Sequence, residues 1–218
     1  NLPPAPERKG LTWREFLARH AEVMLCADLF TKEIWTFCGL KTAYVLFVMH
    51  METRRILLAE ATFCPHNRWM AQMARNLLME CEDAGIRPRF VLHDRDGLFI
   101  HSFDDTLKAA GVEVVRTPFQ APNANSHAER WVLSVKQECL DHLVLFGLES
   151  LQHTLDVYRT YYNDLRPHQG IGRQVPAAMA DAPSATLPRN ADPRQRSSPL
   201  VCTPLLGGLL KSYSRRAA

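Results

Sequence analysis

Apolar and polar positions change period several times along the chain, and each change marks an element. "EVMLCADLF" (Glu22 to Phe30) is an apolar run that ends at polar residues, the pattern of a buried strand. "KTAYVLFVMHMETRRILLAEATF" sets β-branched and aromatic residues on both sides of a turn at Met51 to Arg54, so it predicts two more strands. In "NRWMAQMARNLLMECEDAG" the apolar residues fall at 70, 73, 74, 77, 78 and 81, which is helical spacing with Gly85 as the stop. "RPRFVLHD" (Arg87 to Asp94) is a short strand, "FDDTLKAAG" a helix ending at Gly111, and "VEVVRT" another strand. "TPFQAPNANSHAERWVLSVKQECLDH" (Thr117 to His142) opens as a Pro/Asn-containing loop and closes as a helix. On that helix Ala128, Val132, Val135 and Cys139 share the face expected to pack on the sheet. A last helix is expected over roughly 148 to 163, and a short one over 11 to 20.

The order is three strands, helix, strand, helix, strand, helix, helix. Consecutive strands favour an antiparallel meander, and the later alternation favours parallel additions. The expected fold class is therefore α/β: a mixed five-stranded sheet, three strands antiparallel and two parallel, with helices on both faces. Residues 1–21 are expected to be a linker with a short helix, 22–180 a core domain, and 181–218 a basic tail containing Pro, Ser and Arg with little regular structure.

Composition narrows the class. At 218 residues, with 46% hydrophobic and 22% charged positions, the chain has the profile of a globular domain with extensions. The longest purely apolar run, "YVLFVM", is far short of the roughly 20 residues of a membrane span. Six cysteines occur without any CxxC, and they are expected to be reduced core residues of an intracellular protein. The start, "NLPPAPERKG", reads as a piece of a longer or processed chain. Charge is uneven. Residues 160–218 hold eight Lys/Arg and three Asp/Glu, so +5, and the remainder holds 18 and 20, so −2. A basic tail on a near-neutral body fits either a polyanion partner or a solvated extension.

Three acids occupy special places. Asp28 interrupts an apolar strand, where a carboxylate is costly unless it is paired or binds a metal. Asp94 ends the strand "FVLHD", and Glu129 opens a helix. Each has a structural alternative. Asp28 could point outward, Asp94 and Asp96 could serve a turn, and Ser126-His-Ala-Glu129 matches the capping box S-x-x-E. Together, at strand ends and a helix start, the three acids would form a negative cluster that suits Mg²⁺ or Mn²⁺. Two such ions about 3.5–4 Å apart serve phosphoryl transfer. Lys136 lies two turns beyond Glu129 on nearly the same face, placed to grip a phosphate backbone or simply to be solvated.

The succession "CADLF", "VLHDRDGLF", "PNANSHAERWVLSVKQECLDH" and "YYNDLRPHQGIG" resembles the retroviral-type integrase core of insertion-sequence transposases. These are DDE recombinases with a ribonuclease H-like fold, and the resemblance covers roughly residues 22–180. It implies Asp28, Asp94 and Glu129 as catalytic metal ligands for two divalent cations, Mg²⁺ or Mn²⁺. The gap of 129 − 94 = 35 residues is the family's spacing. It further implies cleavage of DNA and transfer of the freed 3′-hydroxyl to target DNA, and DNA contacts from Asn125, Arg130, Lys136, Arg166 and His168. The implied partners are DNA, as element ends and target, and further copies of the chain, without a membrane or a small-molecule cofactor. The implied setting is a prokaryotic cytoplasm, at the nucleoid. Two features depart from the family. "DRDG" carries Asp96 as a register alternative to Asp94, and His93 replaces a small polar residue. A helix-turn-helix for end recognition is either missing or upstream of residue 1. The alternatives are a ribonuclease H-like nuclease of other specificity and a non-catalytic DNA-binding remnant.

Overall fold

The structure, a computed structural model, describes residues 13–94, 101–117, 126–180 and 199–215. A short helix α1 (Trp13–His20) leads into β1 (Met24–Thr36), β2 (Gly39–His50) and β3 (Ile56–Thr62). Then come α2 (Asn67–Asp83), β4 (Phe90–His93), α3 (His101–Ala109), β5 (Glu113–Arg116) and α4 (Ser126–Glu138). Helix α5 (Gly147–Thr160) runs into a π-helical turn (Tyr161–Leu165), followed by α6 (Pro176–Ala180), β6 (Leu200–Leu205) and β7 (Leu210–Arg215). None of the described helices is long and apolar enough to cross a membrane.

The main sheet has the order β3-β2-β1-β4-β5, antiparallel from β3 to β1 and parallel from β1 to β5. Strand alternation divides its side chains between two cores. Met24, Cys26, Phe30 and Ile34 of β1 and Phe90 and Leu92 of β4 join the core beneath α4 and α5. Leu25, Ala27 and Val91 join the opposite core, beneath α2 and α3. Gly85 ends α2 at φ +66°, where the amide of Ile86 returns 2.8 Å to the Cys81 carbonyl, as a glycine-terminated helix does.

Three features differ from the sequence reading. Trp131, not Val132, is the centre of the buried face of α4. It is fully buried, with Phe47 at 4.2 Å and Phe30 at 6.0 Å between ring centroids. Val132, at the next position, is only partly buried at the edge of the same core. Second, half of the cysteines are not core residues. Cys38, Cys64 and Cys202 are exposed, while Cys26, Cys81 and Cys139 are buried, and burial pushes these three thiols up to about 12. Third, β6 and β7 pair as an antiparallel hairpin across Gly207 and Gly208 in a stretch expected to lack regular structure. Composition averaged over the tail hides "LVCTPLLGGLLKSYS", whose Leu210 is only 4% exposed and enters the core with Leu205 and Leu209 against it.

The edge strand β3 does not present bare backbone along α5. Asn163 accepts from the Ile56 amide at 2.8 Å and donates to the Ile56 carbonyl at 2.9 Å. Gln152 does the same for the Ala61 amide and the Ala59 carbonyl, both at 2.9 Å, and Arg159 donates to the Leu57 carbonyl at 2.8 Å. This accounts for the asparagine of "YYND". Asn163→Ala leaves two buried backbone groups of Ile56 unpaired and is expected to destabilise the domain by about 2 kcal/mol. Urea denaturation measures this, and an unchanged midpoint would show that water replaces the amide at no cost.

Candidate active site

The register of the parallel pair fixes the relation of the first two acids. Cys26 of β1 pairs with Leu92 of β4. Asp28 and Asp94 each lie two residues further on, since 92 − 26 and 94 − 28 are both 66. The paired ladder ends at Cys26 and Leu92, so Asp28 lies two residues further along β1 and Asp94 just past the end of β4. Alternation puts both on the face of Cys26 and Leu92, the face that α4 covers. Asp28 is half-buried, and its Oδ1 accepts the Leu29 amide at 2.8 Å, which fixes the carboxylate at the strand. Asp94 is half-buried where β4 ends.

Glu129 lies in the first turn of α4 and is exposed, while Ala128, Trp131 and Val135 anchor the helix on that same face. The helix begins at Ser126 itself. Asp28 and Asp94 thus lie near the end of the paired part of adjacent strands β1 and β4, and Glu129 lies in the first turn of the helix that packs on that face. Among the described residues no three Asp, Glu, His or Cys side chains are close enough to enclose a metal ion. The donor types are of the right chemistry for such an ion: two hard carboxylates on adjacent strands, with a third on a solvent-facing helix turn. Asp96 and Asn125 lie outside the described residues.

His93 points to the other face, as alternation requires. Its Nε2 is 3.0 Å from Asp104 of α3, and its Nδ1 meets the Asp94 carbonyl oxygen. Arg116 of β5 donates to the second oxygen of Asp104 at 3.1 Å, and the Thr117 amide to the His93 carbonyl at 3.0 Å. The backbone bearing Asp94 is therefore held from behind by a buried polar network. This explains a histidine in place of a small polar residue.

The remaining candidates divide by environment. Lys136 sits over the Phe30 ring at 5.3 Å, beside β1. Arg130 is exposed on another flank of α4, lining a cleft with His127, Ser134, Arg166 and His168. Arg166 chelates Glu138 through Nε, at 3.0 Å, and a second guanidinium nitrogen, and Tyr158 donates to the same carboxylate at 3.0 Å. His168 is buried, with Nε2 2.9 Å from the Tyr162 carbonyl, and burial holds its imidazole below the ordinary value. Both motif residues therefore join α4 to the segment after α5 while lining the cleft. The cleft also contains Arg54 and Met49, which the sequence reading does not single out. Burial, then the charges of Arg54 and Arg130, push the His127 imidazole down to about 4.

Comparison with known proteins agrees with this fold. Residues 110–176, which carry Glu129, Arg166 and His168, match the family model of the integrase core domain. A BIV integrase catalytic core has a TM-score of 0.54 at 13% identity, covering 73% of this chain and 93% of that one. An HTLV-2 integrase catalytic core in complex with magnesium gives a TM-score of 0.53 at 9% identity, covering 73% and 96%. An integrase chain in a simian T-cell lymphotropic virus intasome gives a TM-score of 0.56 at 13% identity, covering 88% of this chain and 66% of that one. The chain thus spans about two thirds of that intasome chain. No curated protein matches the sequence. The chain has the ribonuclease H-like fold of integrase catalytic cores, and its segment from 110 to 176 resembles the integrase core domain.

Proposed function

We propose that the protein is a transposase-type integrase that cleaves DNA and transfers the freed strand to a target by metal-dependent phosphoryl transfer. The observation that carries this reading is the match of residues 110–176, with Glu129 in the first turn of α4, to the integrase core domain, on a sheet whose parallel strands β1 and β4 bear Asp28 and end next to Asp94. Asp28, Asp94 and Glu129 are the residues that would hold Mg²⁺ or Mn²⁺, and the HTLV-2 core compared above was solved with magnesium. When bound, a pair of such ions activates the attacking oxygen and stabilises the leaving one.

The chain's own residues do the rest. The Leu29 amide and the network behind His93 hold Asp28 and Asp94 at the strand, so ligand position does not depend on flexible side chains alone. Lys136, two turns along α4 from Glu129, contributes positive charge beside the acids where a scissile phosphate would lie. Arg130 and the basic cleft extend that charge along a nucleic acid. The solved relatives include dimeric, trimeric and intasome forms, and assembly into a homo-oligomer on paired DNA ends is part of the reading.

The test offers the protein a linear duplex with a free 3′-hydroxyl and a supercoiled plasmid, with Mg²⁺ or Mn²⁺. Joined product that disappears with EDTA is the expected result. Nicking without joining would move the protein to a nuclease of other specificity. No reaction on any DNA in either metal would leave a DNA-binding remnant.

A further inference from the structure

Arg54 combines two conditions that proteins seldom tolerate at one residue. Its backbone is left-handed, at φ +64°, where glycine or asparagine is relaxed and a long side chain is not. Its NH1 group is buried, with no hydrogen-bond partner among the described residues. The turn that holds it is well determined. The Arg54 amide donates 2.9 Å to the His50 carbonyl, and the His50 amide donates 2.9 Å to the Arg55 carbonyl. The His50 Nδ1 meets the Thr53 hydroxyl at 2.9 Å, and the Met51 amide reaches the Met24 carbonyl at the start of β1. Backbone strain persists where surrounding structure over-determines it, and a strained residue with an unsatisfied donor points to a ligand.

The surroundings indicate the ligand's charge. Arg54 faces the cleft of about 860 Å³ walled by α4, by its own turn and by residues 162–170. The carboxylate lining this cleft, Glu138, is already chelated by Arg166 and capped by the Tyr158 hydroxyl. The ionisable neighbours that act on the Arg54 guanidinium are Cys26 and Tyr162, both neutral at ordinary pH. Arg54 and Arg130 therefore give the cleft positive charge that Glu138 does not compensate. A planar guanidinium fork matches two oxygens of a phosphodiester.

The position indicates the role. His127 and Ser134, seven residues apart, form a stripe along α4 that lines the cleft. Arg130 and Leu133 line it too, at about 100° and 40° around the helix from Glu129, so the cleft reaches around the exposed flank of α4 towards that residue. Lys136 lies against Phe30 of β1, whereas the cleft is lined by Met49 of β2. We propose that the cleft is a second phosphodiester-binding subsite for nucleic acid, anchored by Arg54 at the turn after β2 and reaching the exposed flank of α4. It holds backbone away from the bond that reacts. The inference rests on the reading of DNA as substrate and adds a place on the protein that the three acids do not require.

The test uses the full chain in metal-free buffer, with labelled duplex followed by fluorescence anisotropy across a salt series. Arg54→Asn suits the left-handed turn, so its melting temperature is expected to equal or exceed the parent's. Its DNA affinity is expected to fall roughly tenfold, uniformly across sequences, with the salt slope shallower by about one. Ser134→Asp, on α4 and away from the strained turn, is expected to weaken binding in the same way, while Glu82→Gln, exposed on α2 across the sheet, binds as the parent does. If both cleft variants bind like the parent, the cleft inference is overturned and the DNA reading stands. If Arg54→Asn melts lower and binds weakly while Ser134→Asp binds normally, Arg54 is a structural residue and the inference is likewise overturned. A parent protein that binds no nucleic acid at all removes the functional reading and the inference with it.

Discussion

Glu129→Gln is expected to lower metal-dependent strand cleavage and joining by roughly 10³-fold or more, about 4 kcal/mol of barrier, while fold and DNA binding remain. Glu129 is exposed, so the amide displaces nothing from the core. The competing effect is the loss of a negative charge from the first turn of α4, which costs 0.3–1 kcal/mol of helix stability. That term is too small to unfold a domain, and it would lower activity only in proportion to the unfolded fraction. A selective loss of chemistry at unchanged melting temperature therefore identifies a ligand and not a helix cap. Cleavage within tenfold of the parent would show the reverse and leave Glu129 as a capping residue. The same assay on Asp94→Asn and Asp96→Asn decides the register of the second acid, and Asp94 is expected to be the sensitive one.

The largest effect on stability is expected at Trp131. Its ring is fully buried among Phe30, Phe47, Tyr158 and Tyr162, with centroids from 4.2 to 6.5 Å away. Trp131→Ala opens a cavity at the contact between α4 and the sheet and is expected to cost about 3–5 kcal/mol. For a chain of this size that lowers the melting temperature by roughly 10 °C. Trp131→Phe should behave differently from a simple loss of volume. The indole Nε1 is buried and has no hydrogen-bond partner among the described residues, so phenylalanine removes a desolvated donor along with some contact area. Its cost is expected to be less than half that of alanine. Equal destabilisation by both variants, in thermal or urea melts, would mean that the indole nitrogen is satisfied in solution. Because α4 carries Glu129, the alanine variant should also lose activity, whereas the phenylalanine variant keeps it.

The candidate acids drew notice in the sequence for different reasons. An aspartate inside "MLCADLF" contradicts the apolar run around it, and an aspartate closing "FVLHD" falls where a strand delivers a side chain to a site. Other features left no such trace. Trp131 and Val132 are adjacent and both apolar, and the axial rotation of α4 that separates them is set by packing on Phe30 and Phe47. Asn163 looks like a helix-end residue until β3 is seen to lie beside it. Arg166 and His168 read as cations for DNA, yet much of their hydrogen-bonding capacity goes to Glu138 and the Tyr162 carbonyl.

By itself the sequence determined the order of the elements up to α5 and the mixed five-stranded sheet, and it proposed the three acids, because period and local chemistry are properties of neighbouring residues. Only the tertiary structure decided which residues 66 positions apart share a register and which side of α4 faces solvent. It also decided that Arg54 stands strained in a basic cleft, with a buried guanidinium nitrogen that has no hydrogen-bond partner among the described residues. Those outcomes depend on contacts between segments distant along the chain, and hydrophobic periodicity constrains each segment's own face without fixing its partner.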